Sequence, residues 1–137
     1  MKFSHKIIKR GFILSGIMNI GGVLILSRFF TNNVIPKTDP AVMSNFGLLM
    51  IVLWGCVFLA VSQKYEQLKW LVAIFIIEKF IYGFTWTKWI INNDLSSVYD
   101  QDKMAGLFYT IYGINDWFFF LFFLLVFVKL SKATENN

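Results

Sequence analysis

The sequence contains a single cysteine and a single histidine. With Cys56 alone, no disulfide can form within the chain, and thiol chemistry of the two-cysteine kind is excluded. With His5 alone, the chain cannot build a haem site with two histidine ligands or a histidine-based zinc or di-iron site. We therefore expect no metal and no cofactor. Cys56 lies inside an apolar run and is expected to be a small, buried packing residue.

Charged residues are also scarce, at 15% of the 137 residues, whereas 57% of the chain is hydrophobic and 19% is aromatic. A soluble domain of this length could not hide so much apolar surface, but lipid can cover it. The formal net charge of +5 does not come from one basic patch, because the basic residues stand at the ends of apolar runs. The composition therefore indicates an integral membrane protein surrounded by membrane lipids and argues against nucleic-acid binding.

Four apolar runs, at about 8–30, 44–62, 69–91 and 105–129, each approach the roughly 20 residues that cross the hydrocarbon core of a bilayer. Backbone groups in lipid must bond within their own segment, so runs of this length are predicted to be helices. The first run is too long for a signal peptide and is expected to be a retained span. The sequence thus predicts one all-α membrane domain over residues 1–137, an antiparallel bundle of four transmembrane helices.

The distribution of basic residues predicts how this bundle is oriented. Eight of them fall on the side of the two termini, and four fall on the opposite side, which also carries four acidic residues. By the positive-inside rule, both termini are expected in the cytoplasm, with the protein in the cytoplasmic (inner) membrane as a multi-pass chain. The eight are Lys2, Lys6, Lys9, Arg10, Lys64, Lys69, Lys129 and Lys132, and the four are Arg28, Lys37, Lys88 and Lys103.

Polar side chains inside the predicted spans are the main functional signal. Asn19, Glu78, Lys79 and Asp116 lie about 9 to 13 residues from the inner ends of their helices, which at about 1.5 Å per residue places them near the bilayer midplane. A charge at that depth costs roughly 2.5–3.5 kcal/mol on insertion scales, so such groups usually face the bundle interior and find partners. We expect an ion pair between Lys79 and Asp116, with Glu78 and Asn19 completing a buried polar cluster.

Helical spacing places aromatic residues beside this cluster. Those that share a helical stripe with Glu78 or Asp116, and one at a similar depth in the second span, are candidates to line a pocket. They are Tyr82, Tyr109, Tyr112 and Trp54. In the first span, Gly11 and Ser15 form a small-xxx-small pair, which predicts the close approach of a neighbouring helix.

Two interpretations of the polar cluster remain open at this point. The cluster can serve only to fix the pairing of the helices, or it can form a functional site that binds a lipid-like small molecule or a partner helix. As alternatives, Glu78 and Asp116 would serve a proton-coupled small transporter working as an oligomer, or act as acid and base in a lipid-modifying membrane enzyme. The sequence specifies no activity, favours a non-enzymatic protein, and leaves the oligomeric state open.

Several short motifs are spread over the four predicted spans. They are Asn19-x-x-Gly22, Trp54-Gly55 followed by Ala60, Lys79, and Asn115-Asp116-x-Phe118. This set resembles a family of small bacterial four-helix membrane proteins that has a Gly at the second site, a Lys in the third helix and a Gly-Asp in the fourth. Here Asn115 stands where that last Gly is expected, and Glu78 precedes the Lys. The family is functionally uncharacterised, so the resemblance implies the topology and points to Lys79 and Asp116 without supplying an activity.

Overall fold

A computed structural model describes residues 4–135, which contain helices and turns but no β-strand. The all-α class predicted from the sequence is therefore confirmed. Three of the helices, α1, α4 and α6, are long and apolar enough to cross a membrane, whereas α3 is shorter, at 17 residues. The helices are α1 (His5–Leu26), α2 (Val34–Thr38), α3 (Asn45–Val61), α4 (Lys69–Asn92), α5 (Leu95–Gln101) and α6 (Lys103–Glu135), with one 3-10 turn at Tyr65–Gln67.

The first helix ends at Leu26, whereas the predicted first span continues to about residue 30. The next residues, Arg28, Phe29 and Phe30, have φ angles of 49°, 53° and 66°. This left-handed region costs about 1–2 kcal/mol for a residue with a Cβ. The turn is held in part by the Phe30 N–H, which donates to Ser27 Oγ at 2.9 Å. The apolar run continues through this turn, so hydropathy could not reveal where the helix stops.

Asp102 fastens this left-handed turn to the start of α6. Its Oδ2 accepts a hydrogen bond from Arg28 Nη2 at 2.8 Å, and its Oδ1 accepts one from Asn32 Nδ2 at 2.9 Å and one from the Ala105 N–H at 2.8 Å. Partial burial acts to raise the pKa of this carboxyl, but the hydrogen bonds from Ala105, Arg28 and Asn32 outweigh it and lower the pKa below the usual value. One carboxylate thus caps α6 and ties it to the turn after α1.

The bundle has two distinct ends. At the terminal end, α1 begins and α6 finishes beside the connection between α3 and α4. There His5 Nδ1 lies 3.1 Å from Glu66 Oε1, and the Trp70 and Phe127 rings lie 6.1 Å apart. At the opposite end, called the cap end below, the short helices α2 and α5 pack against each other and against α6.

Helix α1 packs most extensively on α3, and the two backbones touch at a pair of glycines. A Cβ placed on Gly16 would lie 2.8 Å from Gly55 O, and one placed on Gly55 would lie 2.9 Å from Gly16 O. This contact is the close approach that small residues permit in membranes. The small-xxx-small pair of Gly11 and Ser15 is not the site of this contact. Gly11 faces the Phe122 ring of α6, because the stripe of α1 that meets α3 runs through Gly16.

Helix α4 packs most extensively on α6, through tryptophans set against glycines of the opposite helix. Gly113 of α6 faces the Trp86 indole, with which a Cβ would collide, and Gly83 of α4 faces the Trp117 indole, where a Cβ would lie 3.0 Å from the ring. The Trp86 Nε1–H also donates to Tyr109 O at 2.6 Å. These reciprocal contacts fix the register of the two helices.

Two apolar cores fill the bundle, and the buried polar side chains lie between them along the chain. On α1, α4 and α6 alike, Asn19, Lys79 and Asp116 separate residues of one core from residues of the other. The terminal-end core includes Phe12, Phe58, Phe75 and Phe123. The cap-end core includes Val23, Leu48, Trp89 and Phe108. The fold therefore brings the polar groups of three helices to one level with apolar packing on both sides.

Candidate functional site

Lys79 lies at the centre of the polar cluster and is completely buried. Its Nζ donates to Asp116 Oδ1 at 2.7 Å and to Asn19 Oδ1 at 3.1 Å, so α4, α6 and α1 meet at one ammonium group. Asn19 Nδ2 in turn donates to Ile51 O of α3 at 3.3 Å. The ammonium also lies 5.0 Å from the centre of the Phe58 ring, a distance at which a cation is attracted to an aromatic face.

Glu78 is buried beside this ion pair but is poorly partnered. Its Oε2 lies 3.7 Å from Lys79 Nζ, which is too long for a hydrogen bond, and it has no hydrogen-bond partner among residues 4–135. Within the same range, the buried hydroxyl of Tyr112 also lacks a partner. A buried polar atom without a hydrogen bond costs about 1–3 kcal/mol. A bound molecule that reached these two atoms would therefore gain by hydrogen bonding to them.

Both unpartnered atoms belong to residues that line a cavity of about 100 Å³, large enough for several water molecules or a small headgroup. Partly exposed residues also line it, including Met18 of α1 and Asn115 of α6, so the cavity is not sealed from the outside of the bundle. The lining comprises Met18, Asn19, Gly22, Val23 and Leu26 of α1, Ile51 of α3, Glu78 and Tyr82 of α4, and Phe108, Ile111, Tyr112, Asn115 and Asp116 of α6.

The residues predicted to form the cluster are therefore neighbours in the structure. Asn19, Glu78 and Asp116 line the cavity, whereas Lys79 lies behind its wall, held by Asp116 and Asn19. Among the aromatic candidates, Tyr82 and Tyr112 line the cavity.

Tyr109 and Trp54, which the sequence predicts as pocket residues, do not line this cavity. Tyr109 is completely buried in the cap-end core, where it stacks on Trp89 with ring centres 4.5 Å apart and donates its hydroxyl proton to Ile35 O at 2.8 Å. The short helix α2, which hydropathy did not predict, supplies that acceptor. Trp54 packs edge-on against Phe75, with ring centres 6.3 Å apart, and so belongs to the terminal-end core.

Sequence reasoning missed six apolar lining residues: Met18, Val23, Leu26, Ile51, Phe108 and Ile111. An apolar side chain inside an apolar span carries no signal of its own, because lipid contact, core packing and ligand contact use the same residue types. Gly22 and Asn115 belong to motifs visible in the sequence, but nothing in those motifs indicates a cavity.

The chemistry available at the cluster is limited to carboxyl, ammonium, amide and phenol groups. Among the described residues 4–135, no three His, Cys, Asp or Glu side chains lie close enough together to hold a metal ion. No protein-family model, curated protein or solved structure matches this chain. Its function has to be inferred from the cluster and the cavity.

Proposed function

We propose that this protein binds a small lipid-like molecule inside a four-span helical bundle in the cytoplasmic membrane. One observation carries the proposal: Glu78 Oε2 and the Tyr112 hydroxyl are buried without partners on residues that line a cavity not sealed from the outside of the bundle. Apolar walls with a few convergent polar groups are typical of small-molecule sites. An opening between α1 and α6 would admit such a molecule directly from the bilayer.

The four-span topology requires α3 to cross the membrane together with α1, α4 and α6. Its 17 residues are about 26 Å long at about 1.5 Å per residue, close to the lower limit for a span. Helix α3 runs between the two ends of the bundle, which supports a fourth span. Asn45 Nδ2 donates to Phe30 O at 3.4 Å near the cap end, and Tyr65, just beyond α3, contacts His5 at the terminal end. The surplus of basic residues at the terminal end favours cytoplasmic termini.

Cysteine labelling tests this topology. Cysteines introduced at Ser4 and Ser131 are expected to react with a membrane-impermeant maleimide only from the cytoplasm, and one at Ser97 only from outside. The background must carry Cys56→Ser, because the sequence predicts Cys56 to be buried but it is exposed on the bundle surface, next to the glycine that faces α1. Labelling of Ser4→Cys and Ser97→Cys from the same side would contradict the proposed topology.

Closing the cavity is the direct test of binding. Gly22→Leu places a side chain in the cavity, where a Cβ would meet no atom within 4 Å. A photoreactive lipid analogue with a neutral headgroup is therefore expected to label this variant about tenfold less than the wild type, as a loss of about 1.4 kcal/mol would give. Yield and elution on gel filtration should be unchanged, because leucine is a better helix former than glycine.

Gly21→Leu is the matched control. A Cβ at Gly21 also meets no atom within 4 Å, but Gly21 does not line the cavity. This variant is expected to label like the wild type. Equal labelling of wild type, Gly21→Leu and Gly22→Leu would mean that the analogue reacts only with the outer surface, and the binding proposal would be abandoned.

The other functions make different demands on the same residues. A proton-coupled transporter needs a water path from the cluster to both membrane faces, yet apolar cores pack on both sides of it. A lipid-modifying enzyme would use Glu78 and Asp116 in the same cavity and would convert the bound lipid. A cluster that only fixes helix pairing would leave labelling insensitive to Gly22→Leu.

A further inference from the structure

The charges in the cluster do not balance. With both carboxyls ionised, Glu78 and Asp116 bring two negative charges, and Lys79 brings one positive charge. The Lys79 ammonium is committed to Asp116 at 2.7 Å and to Asn19 at 3.1 Å, while Glu78 Oε2 remains at 3.7 Å. No Lys, Arg or His lines the cavity. Glu78 therefore has no cation of its own in the described chain, although only 6% of the residue is exposed and water cannot solvate its charge fully.

The position of Glu78 shows where a second cation would sit. Its unpartnered Oε2 and the unpartnered Tyr112 hydroxyl come from different helices and belong to residues lining the same cavity. The Tyr112 oxygen can accept a hydrogen bond, and so can the Glu78 carboxylate. A group with several N–H donors could therefore satisfy both atoms. A proton on Glu78 would instead make the carboxyl a hydrogen-bond donor, and such a site would favour a neutral headgroup, which the alcohol probe below tests.

The remaining walls fit a cation that carries an alkyl chain. The aromatic rings of Tyr82, Phe108 and Tyr112 line the cavity, and aromatic faces attract ammonium groups. Val23, Leu26 and Ile111 supply apolar surface around them. An opening between α1 and α6 would leave room for an alkyl chain to run out along the bundle surface.

We infer that the cavity selects a cationic amphiphile, an alkylammonium whose headgroup binds between Glu78 and Tyr112 and whose chain leaves between α1 and α6. This inference rests on the proposed lipid-binding function and adds the chemical class of the headgroup. Lys79 would then act as the internal counter-ion that holds Asp116, and Glu78 would be the group that recognises the ligand. A charge-assisted hydrogen bond between the ammonium and Glu78 would provide the selectivity.

Three photoreactive probes with the same alkyl chain test the inference: a primary amine, an alcohol and a carboxylic acid. The protein is reconstituted in nanodiscs of zwitterionic phosphatidylcholine, which carries no net charge, so that surface charge does not concentrate the amine. Labelling by the amine is expected to exceed that by the alcohol by about tenfold, the value of one charge-assisted hydrogen bond, and labelling by the acid should be weakest. Gly22→Leu should abolish the excess labelling by the amine.

Glu78→Gln is expected to reduce labelling by the amine probe to the level of labelling by the alcohol probe. Labelling by the alcohol probe itself should be unchanged. Because each probe is compared between wild type and variant, differences in partitioning cancel. Tyr112→Phe, which removes one hydroxyl and keeps the ring, provides a second variant and should weaken labelling by the amine several-fold. Asp100→Asn is the matched control, since Asp100 is an exposed carboxylate of α5, and it should have no effect.

The outcomes separate the two proposals. Amine preference that survives both Glu78→Gln and Tyr112→Phe overturns the inference, and so does equal labelling by all three probes. If all three probes label equally and Gly22→Leu lowers their labelling, lipid binding stands and only the headgroup assignment fails. If no probe shows labelling that depends on Gly22, both proposals fail.

Discussion

Asp116→Ala is expected to lower the free energy of unfolding by about 3–5 kcal/mol, the usual cost of removing one partner from a buried ion pair. The variant leaves the Lys79 ammonium with Asn19 Oδ1 at 3.1 Å and Glu78 Oε2 at 3.7 Å. Because Lys79 is completely buried in the wild type, the variant leaves a charged group inside the bundle without its nearest partner. Unfolding of the purified protein in SDS-containing mixed micelles measures the change.

The double variant Lys79→Met with Asp116→Leu is expected to recover much of this loss, because it removes both charges and keeps most of the volume. Together with the single variants Lys79→Met and Asp116→Leu it forms a double-mutant cycle, in which contacting groups give coupling energies of about 0.5–3 kcal/mol. Simple additivity of the two single changes would contradict the ion pair. Asp100→Asn, on the surface of α5, should leave stability close to that of the wild type.

Gly55→Leu is the second change with a large expected effect, a loss of about 3 kcal/mol, at the upper end of the usual cost of overpacking. Its Cβ would lie 2.9 Å from Gly16 O and 3.0 Å from Asn19 Cβ. A backbone oxygen cannot rotate away, so α1 and α3 must separate. That separation would also move Asn19 away from the Lys79 ammonium, which donates a hydrogen bond to Asn19 Oδ1.

Gly21→Leu serves as the control for the glycine contact as well. The same residue type is introduced into α1 at a position with free space, so stability should rise slightly, by up to about 1 kcal/mol, through better helix propensity. Thermal unfolding of both variants in one detergent provides the comparison. Equal stability of Gly55→Leu and wild type would show that α1 and α3 leave room for a side chain at this position, contrary to the prediction.

The expected effects of Asp116→Ala and Gly55→Leu concern connected parts of the same helix packing. The glycine contact sets the distance between α1 and α3, and Asn19 links both helices to Lys79 through its two amide atoms. The ion pair with Asp116 then joins this pair of helices to α6. The polar cluster therefore stabilises the helix pairing whatever the cavity binds, and the ligand proposal concerns the atoms that this pairing leaves without partners.

The sequence by itself determined the helical class and the level of the polar groups. Long apolar runs can satisfy their backbone hydrogen bonds only as helices, so the class follows from composition and length. The depth of Asn19, Lys79 and Asp116 follows from the constant rise of a helix, and burial at that depth demands partners for charges. Contact among these three side chains could be predicted because the apolar runs contain few other polar groups with which they could pair.

The tertiary structure decided which faces meet and what the helices leave open. Hydropathy could not locate the end of α1, because Phe29 and Phe30 continue an apolar run in a left-handed turn. It could not distinguish Gly16 from Gly11 as the contact to α3, since both are small residues on the same helix. Helical spacing placed Tyr109 beside the cluster, but in the structure its hydroxyl donates to Ile35 O of α2, a helix that the sequence did not predict.

The cavity was also beyond the reach of sequence patterns. A cavity is a volume that side chains from several helices fail to fill, and it depends on the distances between those helices. In a soluble protein, apolar periodicity marks the face turned to the core, but lipid is as apolar as a core, so spans carry little of that signal. Charge and length therefore predicted which helices could cross a membrane and which groups must pair, while packing alone determined that Glu78 and Tyr112 line the same cavity.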